Sequence, residues 1–211
     1  MSKVIVFQGD SVTDCGRVKD ADLPPNGGLG AGYVSLIAAR ILADNLGEDI
    51  KVYNRGISGH RVVDLYARWK VDTLNLNPDV LSILIGVNDT WHEFAKNNGV
   101  EVPRYDQFYR MLLDWTIKTY PNIKIVICEA FSLESDFITP EWKAEMAERS
   151  KVAKKIAEEY GCTFIPFQSI LEEAAAKAGN PKLIAADGVH PTLTGHQVMA
   201  DAWLKYAGNL I

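Results

Sequence analysis

Three residues, one near the start of the sequence and two close together near its end, carry the side chains that acyl transfer requires. Ser11 supplies a hydroxyl nucleophile, His190 a base, and Asp187 a carboxylate that can orient the base. A serine hydroxyl alone is a poor nucleophile at neutral pH, so the base is essential. Residues three apart on a turn can face each other, so Asp187 can accept from Nδ1–H of His190 and leave Nε2 for the Ser11 proton. These three residues are the candidate catalytic groups.

The same chemistry needs neutral hydrogen-bond donors for the oxyanion that forms during ester cleavage. The backbone N–H of Ser11 can supply one donor. Gly59 can supply a second, because a residue without Cβ lets substrate approach the main chain. The side-chain amide of Asn88 is neutral at every working pH and is the third candidate. For the neighbouring carboxylates, Asp10 and Asp89, we favour structural roles such as capping or bonding loop amides.

Short runs rich in Val and Ile precede these groups, as is typical of strands buried on both faces. The predicted strands cover residues 3–8, 50–54, 80–85 and 123–128, with a less marked run at 163–165. Helices are predicted at 33–45, 105–119, 140–160 and about 194–206, and the charges of 141–159 are assigned to a solvated helix face. This alternation predicts a three-layer α/β/α sandwich with a mostly parallel five-stranded sheet, in one domain spanning residues 1–211.

Ligands of such sheets bind beyond the carboxyl ends of the strands. Since Ser11, Gly59 and Asn88 each follow a predicted strand, they are expected to meet at one edge together with residues 187–190. Two stretches are predicted to be irregular: residues 20–32, rich in Pro and Gly, and residues 87–103 after the third strand. Loops of that length in a compact domain are more often functional than idle.

Four blocks of the sequence resemble, in order, those of the SGNH/GDSL hydrolase superfamily: Gly9-Asp10-Ser11, Gly59, Gly86-Val87-Asn88-Asp89 and Asp187-Gly188-Val189-His190-Pro191. The resemblance implies the flavodoxin-like SGNH hydrolase fold. It also implies Ser11 as nucleophile, with His190 and Asp187 as base and orienting group. Gly59 and Asn88 join the Ser11 N–H as oxyanion donors.

A finer resemblance is to the intracellular acetylxylan esterases of this superfamily. It rests on the segments SVTDCGR at 11–17, LGAGY at 29–33, RGISG at 55–59, DLYARW at 64–69 and IGVNDTW at 85–91. This resemblance implies a small acetylated saccharide, an acetylated xylo-oligosaccharide, as substrate. It also implies a homo-oligomer.

Composition argues against several other classes of protein. The 22 Lys and Arg against 27 Asp and Glu leave a net charge of −5, without the basic surplus of a nucleic-acid binder. The longest apolar runs are strand-sized, so no membrane partner is expected. Cys15, Cys128 and Cys162 lack a CxxC spacing, and we expect no disulfide framework, metal or cofactor. The chain start has no apolar stretch long enough for a signal peptide, which predicts a cytoplasmic protein.

Three other functions stay open at this point. A lysophospholipase or thioesterase of the same superfamily would act on other small or lipid esters. A glycan-binding protein would use the fold without catalysis. A metal-dependent phosphoesterase would need ligands drawn from Asp10, Asn88, Asp89, Asp187 and His190, although metallophosphatases usually bring more His and carboxylate ligands than these.

The remaining histidines are not expected to be catalytic. His60 is placed at the cleft rim, His92 near substrate, and His196 inside the terminal helix as a surface or packing residue. Trp91 has two interpretations, a platform for a sugar ring or an anchor for its loop or an oligomer contact. Cys15 is interpreted as a packing residue rather than a second nucleophile.

Overall fold

The five strands form one sheet in the order β2-β1-β3-β4-β5, and every pairing in it is parallel. The structure is a computed structural model that describes residues 2–20 and 23–211. The strands are β1 (Lys3–Gly9), β2 (Ile50–Asn54), β3 (Val80–Leu84), β4 (Lys124–Cys128) and β5 (Thr163–Ile165). All five predicted strands are therefore confirmed, and the order places the topological switch point between β1 and β3.

The α-helices of the described residues lie between these strands and after the last one, one or two to each connection. They are α1 (Ser11–Asp14), α2 (Tyr33–Asp44), α3 (Val62–Asp72), α4 (Val87–Lys96), α5 (Val102–Thr119), α6 (Pro140–Glu159), α7 (Phe167–Ala178) and α8 (Leu193–Ala207). The predicted start of α6 is confirmed, because the Thr139 hydroxyl accepts from the Trp142 N–H at 3.3 Å. Within the described ranges, each helix is too short or too polar to cross a membrane.

The prediction of an irregular stretch at residues 87–103 is wrong. α4 begins at Val87, directly after Gly86, whose φ of 140° lets the chain turn sharply out of β3. α4 ends where Asn97 adopts the left-handed conformation, and α5 starts five residues later. Val87, Trp91 and Phe94 recur at the i, i+4, i+7 spacing of one helix face, a signal for α4 that the prediction of an irregular stretch did not use. Val87 and Trp91 pack against side chains distant in sequence.

The other predicted irregular stretch, residues 20–32, is described only in part. Residues 21 and 22 lie outside the described residues. From residue 23 to residue 32 the described chain forms turns and bends, with neither helix nor strand. This segment leads directly into α2, which begins at Tyr33 close to its predicted start.

Helices cover both faces of the sheet, which explains why the strands are almost uniformly apolar. Ile5 and Phe7 face the layer of α2, α7 and α8, whereas Val6 between them faces the layer of α3, α5 and α6. Trp203 of α8 packs on Phe7 at 5.3 Å between ring centroids, and its Nε1–H donates to Ser82 Oγ at 3.0 Å. The three-layer architecture predicted from the sequence is confirmed.

Replacing Trp203 with Ala should lower the free energy of unfolding by about 3–5 kcal/mol, because it leaves a large cavity against β1 and β3. Urea denaturation followed by circular dichroism measures the loss. The matched control is Tyr206→Ala on the same helix, at a partly exposed ring, with an expected change of about 0.5 kcal/mol or less. Equal effects of the two substitutions would contradict the assigned packing.

Candidate active site

The turn from β1 into α1 presents Ser11 at the carboxyl edge of the sheet. Asp10 caps α1, its Oδ1 accepting from the Val12 N–H at 3.0 Å, and Ser11 is the first helical residue. Gly9 is required here, because a Cβ would stand 2.5 Å from the Leu84 carbonyl oxygen of β3. The tight turn leaves the Ser11 side chain partly accessible while Asp10 is buried.

The structure brings the three predicted catalytic residues into one hydrogen-bonded chain. Ser11 Oγ lies 2.9 Å from His190 Nε2, and His190 Nδ1 lies 2.7 Å from Asp187 Oδ2. The second carboxylate oxygen of Asp187 accepts from the backbone N–H groups of Val189 (2.9 Å) and His190 (2.7 Å). An ionised Asp187 accepts from Nδ1–H and leaves Nε2 as the acceptor facing Ser11. This arrangement can activate a hydroxyl as a nucleophile.

Opposing effects act on the Asp187 carboxyl. Partial burial raises its pKa, but the hydrogen bonds from the His190 backbone and ring and from Val189 outweigh that effect. The pKa of Asp187 is therefore below its ordinary value, and the group is ionised at neutral pH. The loop is held from behind, since the Leu133 N–H donates to the Gly188 carbonyl at 2.7 Å and Ser135 Oγ donates to the Asp187 carbonyl at 2.8 Å.

The three predicted oxyanion donors follow β1, β2 and β3: Ser11 begins α1, Gly59 is in the loop after β2, and Asn88 is in the first turn of α4. Gly59 has a φ of 83° and open space where a Cβ would be. In residues 2–20 and 23–211, neither the Gly59 N–H nor the Ser11 N–H has a hydrogen-bond acceptor. Asn88 donates one amide hydrogen to the His60 carbonyl at 3.1 Å, which fixes the amide and leaves its other hydrogen available. These groups can together stabilise a developing negative charge.

Buried polar contacts that sequence reasoning missed fix the loop after β2 against α1. Asp14 Oδ2 accepts from Ser58 N–H (2.9 Å) and Ser58 Oγ (3.1 Å), and Asn54 Nδ2 donates to the Thr13 carbonyl at 2.6 Å. Ser58 precedes Gly59, so these bonds set where the Gly59 N–H lies relative to Ser11. Asp14 stands three residues after Ser11, but no pattern in the sequence links it to residue 58.

Arg149 is a second residue that sequence reasoning missed. The prediction that the charges of α6 form a solvated face is wrong at this position, because Arg149 is buried. Its Nε donates to Thr90 Oγ1 at 2.8 Å, and its Nη2 donates to the Val100 carbonyl and to Glu145. Arg149 thereby fixes α4, the helix that carries Asn88, against α6.

The carboxyl groups of Asp10 and Asp89 hold structural contacts, as expected from the sequence. Asp89 accepts from the Val62 N–H at 3.1 and 3.2 Å and so fixes the start of α3 to α4. Burial raises the pKa of each of these two carboxyl groups to about 7. The Val12 N–H and the charge of His190 lower the pKa of Asp10 by less than burial raises it. At Asp89, Arg149 and the Val62 N–H oppose burial in the same way.

The carboxylates considered as metal ligands for a phosphoesterase accept hydrogen bonds from other groups of the protein. Asp10 and Asp89 bond backbone N–H groups, and Asp187 bonds His190. Across the two described ranges, no group of three or more His, Cys, Asp or Glu side chains is placed to hold a metal ion.

The other histidines differ from His190 in their surroundings. His196 is buried, its Nδ1 accepts from the Tyr33 N–H at 3.2 Å, and its Nε2 lies 3.4 Å from Cys15 Sγ. Burial, with a smaller effect of His190, lowers its pKa to about 4, so His196 is a neutral packing residue. His60 accepts from Arg68 Nε at 3.1 Å, and burial beside that cation lowers the pKa of His60 below its ordinary value.

Comparison with known proteins identifies the class to which this fold and site belong. A parallel 2-1-3-4-5 sheet with these blocks at its strand ends defines a carboxylic ester hydrolase of the SGNH type. The family model of the GDSL-like lipases and acylhydrolases matches residues 7–198, and the chain belongs to this family. The family resemblance stated from the sequence is confirmed.

The relatives of the chain include acetylxylan esterases. The acetylxylan esterase of Geobacillus stearothermophilus is 36% identical over 209 residues, which cover 97% of this chain and 93% of the relative. A crystal structure of Axe2, an acetylxylan esterase from that organism, has a TM-score of 0.84 at 35% identity and covers 98% of this chain and 94% of its own. A crystal structure of a protein from Parabacteroides merdae, described as a GDSL-like lipase, has a TM-score of 0.93 at 41% identity. The match covers 100% of this chain and 97% of that protein.

Asp10→Asn should flatten the pH dependence of stability. The pKa values of Asp10 and Asp89 are above the ordinary value of 3.8, so the folded chain retains protons that the unfolded chain releases between about pH 4 and about pH 7. Wild-type stability therefore falls as pH rises through this window. Asn removes one titrating group but keeps an oxygen for the Val12 N–H, so the fall should shrink by about 2–4 kcal/mol.

Urea denaturation at about pH 5 and about pH 8 measures this difference between the variant and the wild type. Asp136→Asn, at a carboxylate with an 87% exposed side chain, is the control and should keep the wild-type pH dependence. If Asp10→Asn loses as much free energy of unfolding between about pH 5 and about pH 8 as the wild type does, the raised pKa of Asp10 is contradicted.

Proposed function

We propose that the protein is an esterase that removes acetyl groups from xylo-oligosaccharides through a Ser11 acyl-enzyme. The observation that carries the proposal is the continuous chain from Ser11 Oγ through the His190 ring to the Asp187 carboxylate, with bonds of 2.9 and 2.7 Å. The identity to acetylxylan esterases over nearly the whole chain supports acetylated xylo-oligosaccharides as the substrate class. The homo-oligomer and the cytoplasmic location expected from the sequence stay predictions.

In the proposed reaction His190 Nε2 takes the Ser11 proton while Ser11 Oγ bonds to the acetyl carbonyl carbon. The carbonyl oxygen becomes an oxyanion and receives hydrogen bonds from Ser11 N–H, Gly59 N–H and the Asn88 amide. Asp187 stabilises the imidazolium that forms. When the tetrahedral intermediate collapses, the bond to the sugar oxygen breaks and His190 gives that oxygen its proton. Water, activated by the same ring, then hydrolyses the acetyl-enzyme and releases acetate.

A small cavity of about 10 Å³ lies next to the turn that carries Ser11, lined by Asp10, Val12, Leu84, Val87, Ala130, Phe131 and Val189. None of the candidate catalytic and oxyanion residues lines it, so a short acyl group is supported by the acetylxylan esterase relatives and not by the volume of this cavity. The His190 side chain is 47% exposed, so a bulky polar alcohol can reach the site from solvent.

Ser11→Ala should abolish ester hydrolysis with the fold retained, because no other hydroxyl accepts from or donates to His190 Nε2 among the described residues. Asn88→Ala should lower kcat by about 10²–10³, the typical cost of losing one oxyanion donor. Acetate release measures both variants, and Ser169→Ala on the exposed surface of α7 is the control, with expected wild-type turnover. Turnover by folded Ser11→Ala would refute the mechanism.

A panel of esters tests the substrate class. Acetylated xylo-oligosaccharides, simple acetyl, butyryl and octanoyl esters and a lysophospholipid are incubated in parallel, and kcat/KM is determined from acid release. Activity should peak at acetyl, since the relatives that match nearly the whole chain are acetylxylan esterases. A peak at long acyl chains or on the lysophospholipid would instead indicate a lipase or thioesterase of the same family.

A further inference from the structure

A row of three side chains runs along α4 away from the nucleophile. Asn88, Trp91 and Phe94 are spaced three residues apart, and side chains at this spacing form a continuous ridge on a helix. Asn88 is buried at the oxyanion position, Trp91 is partly exposed, and Phe94 is 46% exposed. Exposure to solvent therefore increases along the row, from the buried Asn88 to the exposed Phe94. We call Trp91 and Phe94 the aromatic ridge.

The ridge begins directly beside the proposed base. The Trp91 and His190 ring centroids are 5.9 Å apart, with the two planes inclined by 54°. In the proposed reaction His190 also protonates the sugar oxygen that leaves the acetyl carbon, so the sugar attached to that oxygen lies on the side of the His190 ring, next to Trp91. The ridge is thus on the alcohol side of the ester.

A buried ring holds the ridge in place. Trp142 of α6 is 4% exposed and lies 5.5 Å from Trp91 in an edge-on contact and 5.7 Å from Phe94. Trp91 also packs against the apolar cluster that includes Met146 and Val189. Rings fixed in this way form a platform whose ordering costs little on binding, since their rotamers are already set.

We infer that the aromatic ridge forms two successive sugar-binding positions for the uncharged saccharide that carries the acetyl group. Trp91 packs against the ring next to the ester, and Phe94 packs against the following ring. The rise between them along α4 is about 4.5 Å, comparable with one monosaccharide unit. Aromatic faces bind the C–H faces of sugar rings while the hydroxyl groups stay in water, which suits a solvent-open ridge. The inference rests on the proposed function and assigns its substrate positions.

The test compares a substrate that covers the ridge with an acetyl ester whose alcohol is too small to cover either ring. Trp91→Ala should raise KM for acetylated xylotriose by about tenfold, and kcat/KM should fall at least about fivefold more on acetylated xylotriose than on ethyl acetate. Phe94→Ala should raise KM for acetylated xylotriose by about threefold and have no effect on acetylated xylose, which has a single ring. Trp91→Phe should recover most of the affinity, because it restores an aromatic face.

Binding without turnover gives a second measurement. In the Ser11→Ala background, calorimetry with acetylated xylotriose should show the same loss of affinity on adding Trp91→Ala. The matched control is Tyr206→Ala, which also removes an aromatic ring. Tyr206 lies near the end of α8, about 20 Å along the helix from Leu193, and its substitution should change neither the KM nor the affinity.

The outcomes separate this inference from the proposed function. Equal losses of kcat/KM on acetylated xylotriose and on ethyl acetate would show that Trp91 acts only through His190 or the fold, and would overturn the ridge. Wild-type KM for acetylated xylotriose in both alanine variants would overturn the ridge and leave the esterase intact. A wild-type protein that hydrolyses no acetyl ester would overturn the proposed function itself. If Trp91→Ala does not fold, Phe94→Ala and Trp91→Phe decide.

Discussion

The close approach of the β1–α1 turn to the end of β3 is the constraint on which the rest of the site depends. Gly9 passes so near the Leu84 carbonyl that no side chain fits, and the Asp10 cap then turns the chain into α1 within one residue. β1 also pairs with β2 on its other side. Ser11 therefore stands between the loop that follows β2, which carries Gly59, and the start of α4 after β3, which carries Asn88.

Buried polar groups give these loops their fixed positions, at a cost in stability. Asp14 bonds Ser58, Asp89 bonds the start of α3, and Asn88 bonds the His60 carbonyl, so the loop after β2 is held from several sides. Preorganised donors need no rearrangement when charge develops. Burial of Asp10 and Asp89 opposes their ionisation and raises both pKa values to about 7, which weakens the fold as pH rises.

In the proposed function, α4 links the chemistry to substrate recognition. Its first turn carries the Asn88 amide, and its next turns carry Trp91 and Phe94, which pack against the buried Trp142. Because this segment is a helix and not the irregular stretch expected from the sequence, helix geometry sets the distance and direction from the proposed oxyanion donor to the aromatic rings. The buried Arg149 of α6 donates a hydrogen bond to Thr90 of α4 and so fixes the two helices against each other.

The sequence by itself determined the strands, the helices predicted from 33, 105, 140 and about 194, and the four blocks that follow the strands, because local periodicity and turn residues report burial and chain direction. The spacing of Val87, Trp91 and Phe94 also fits the helix α4, although an irregular stretch was predicted there. The sequence did not determine the burial of Arg149, the Asp14–Ser58 contact or the place of Trp91 beside His190. These depend on which distant segments become neighbours. Ser11 and His190 are 179 positions apart, and only the strand order and the packing of α6 and α8 decide what lies between and around them.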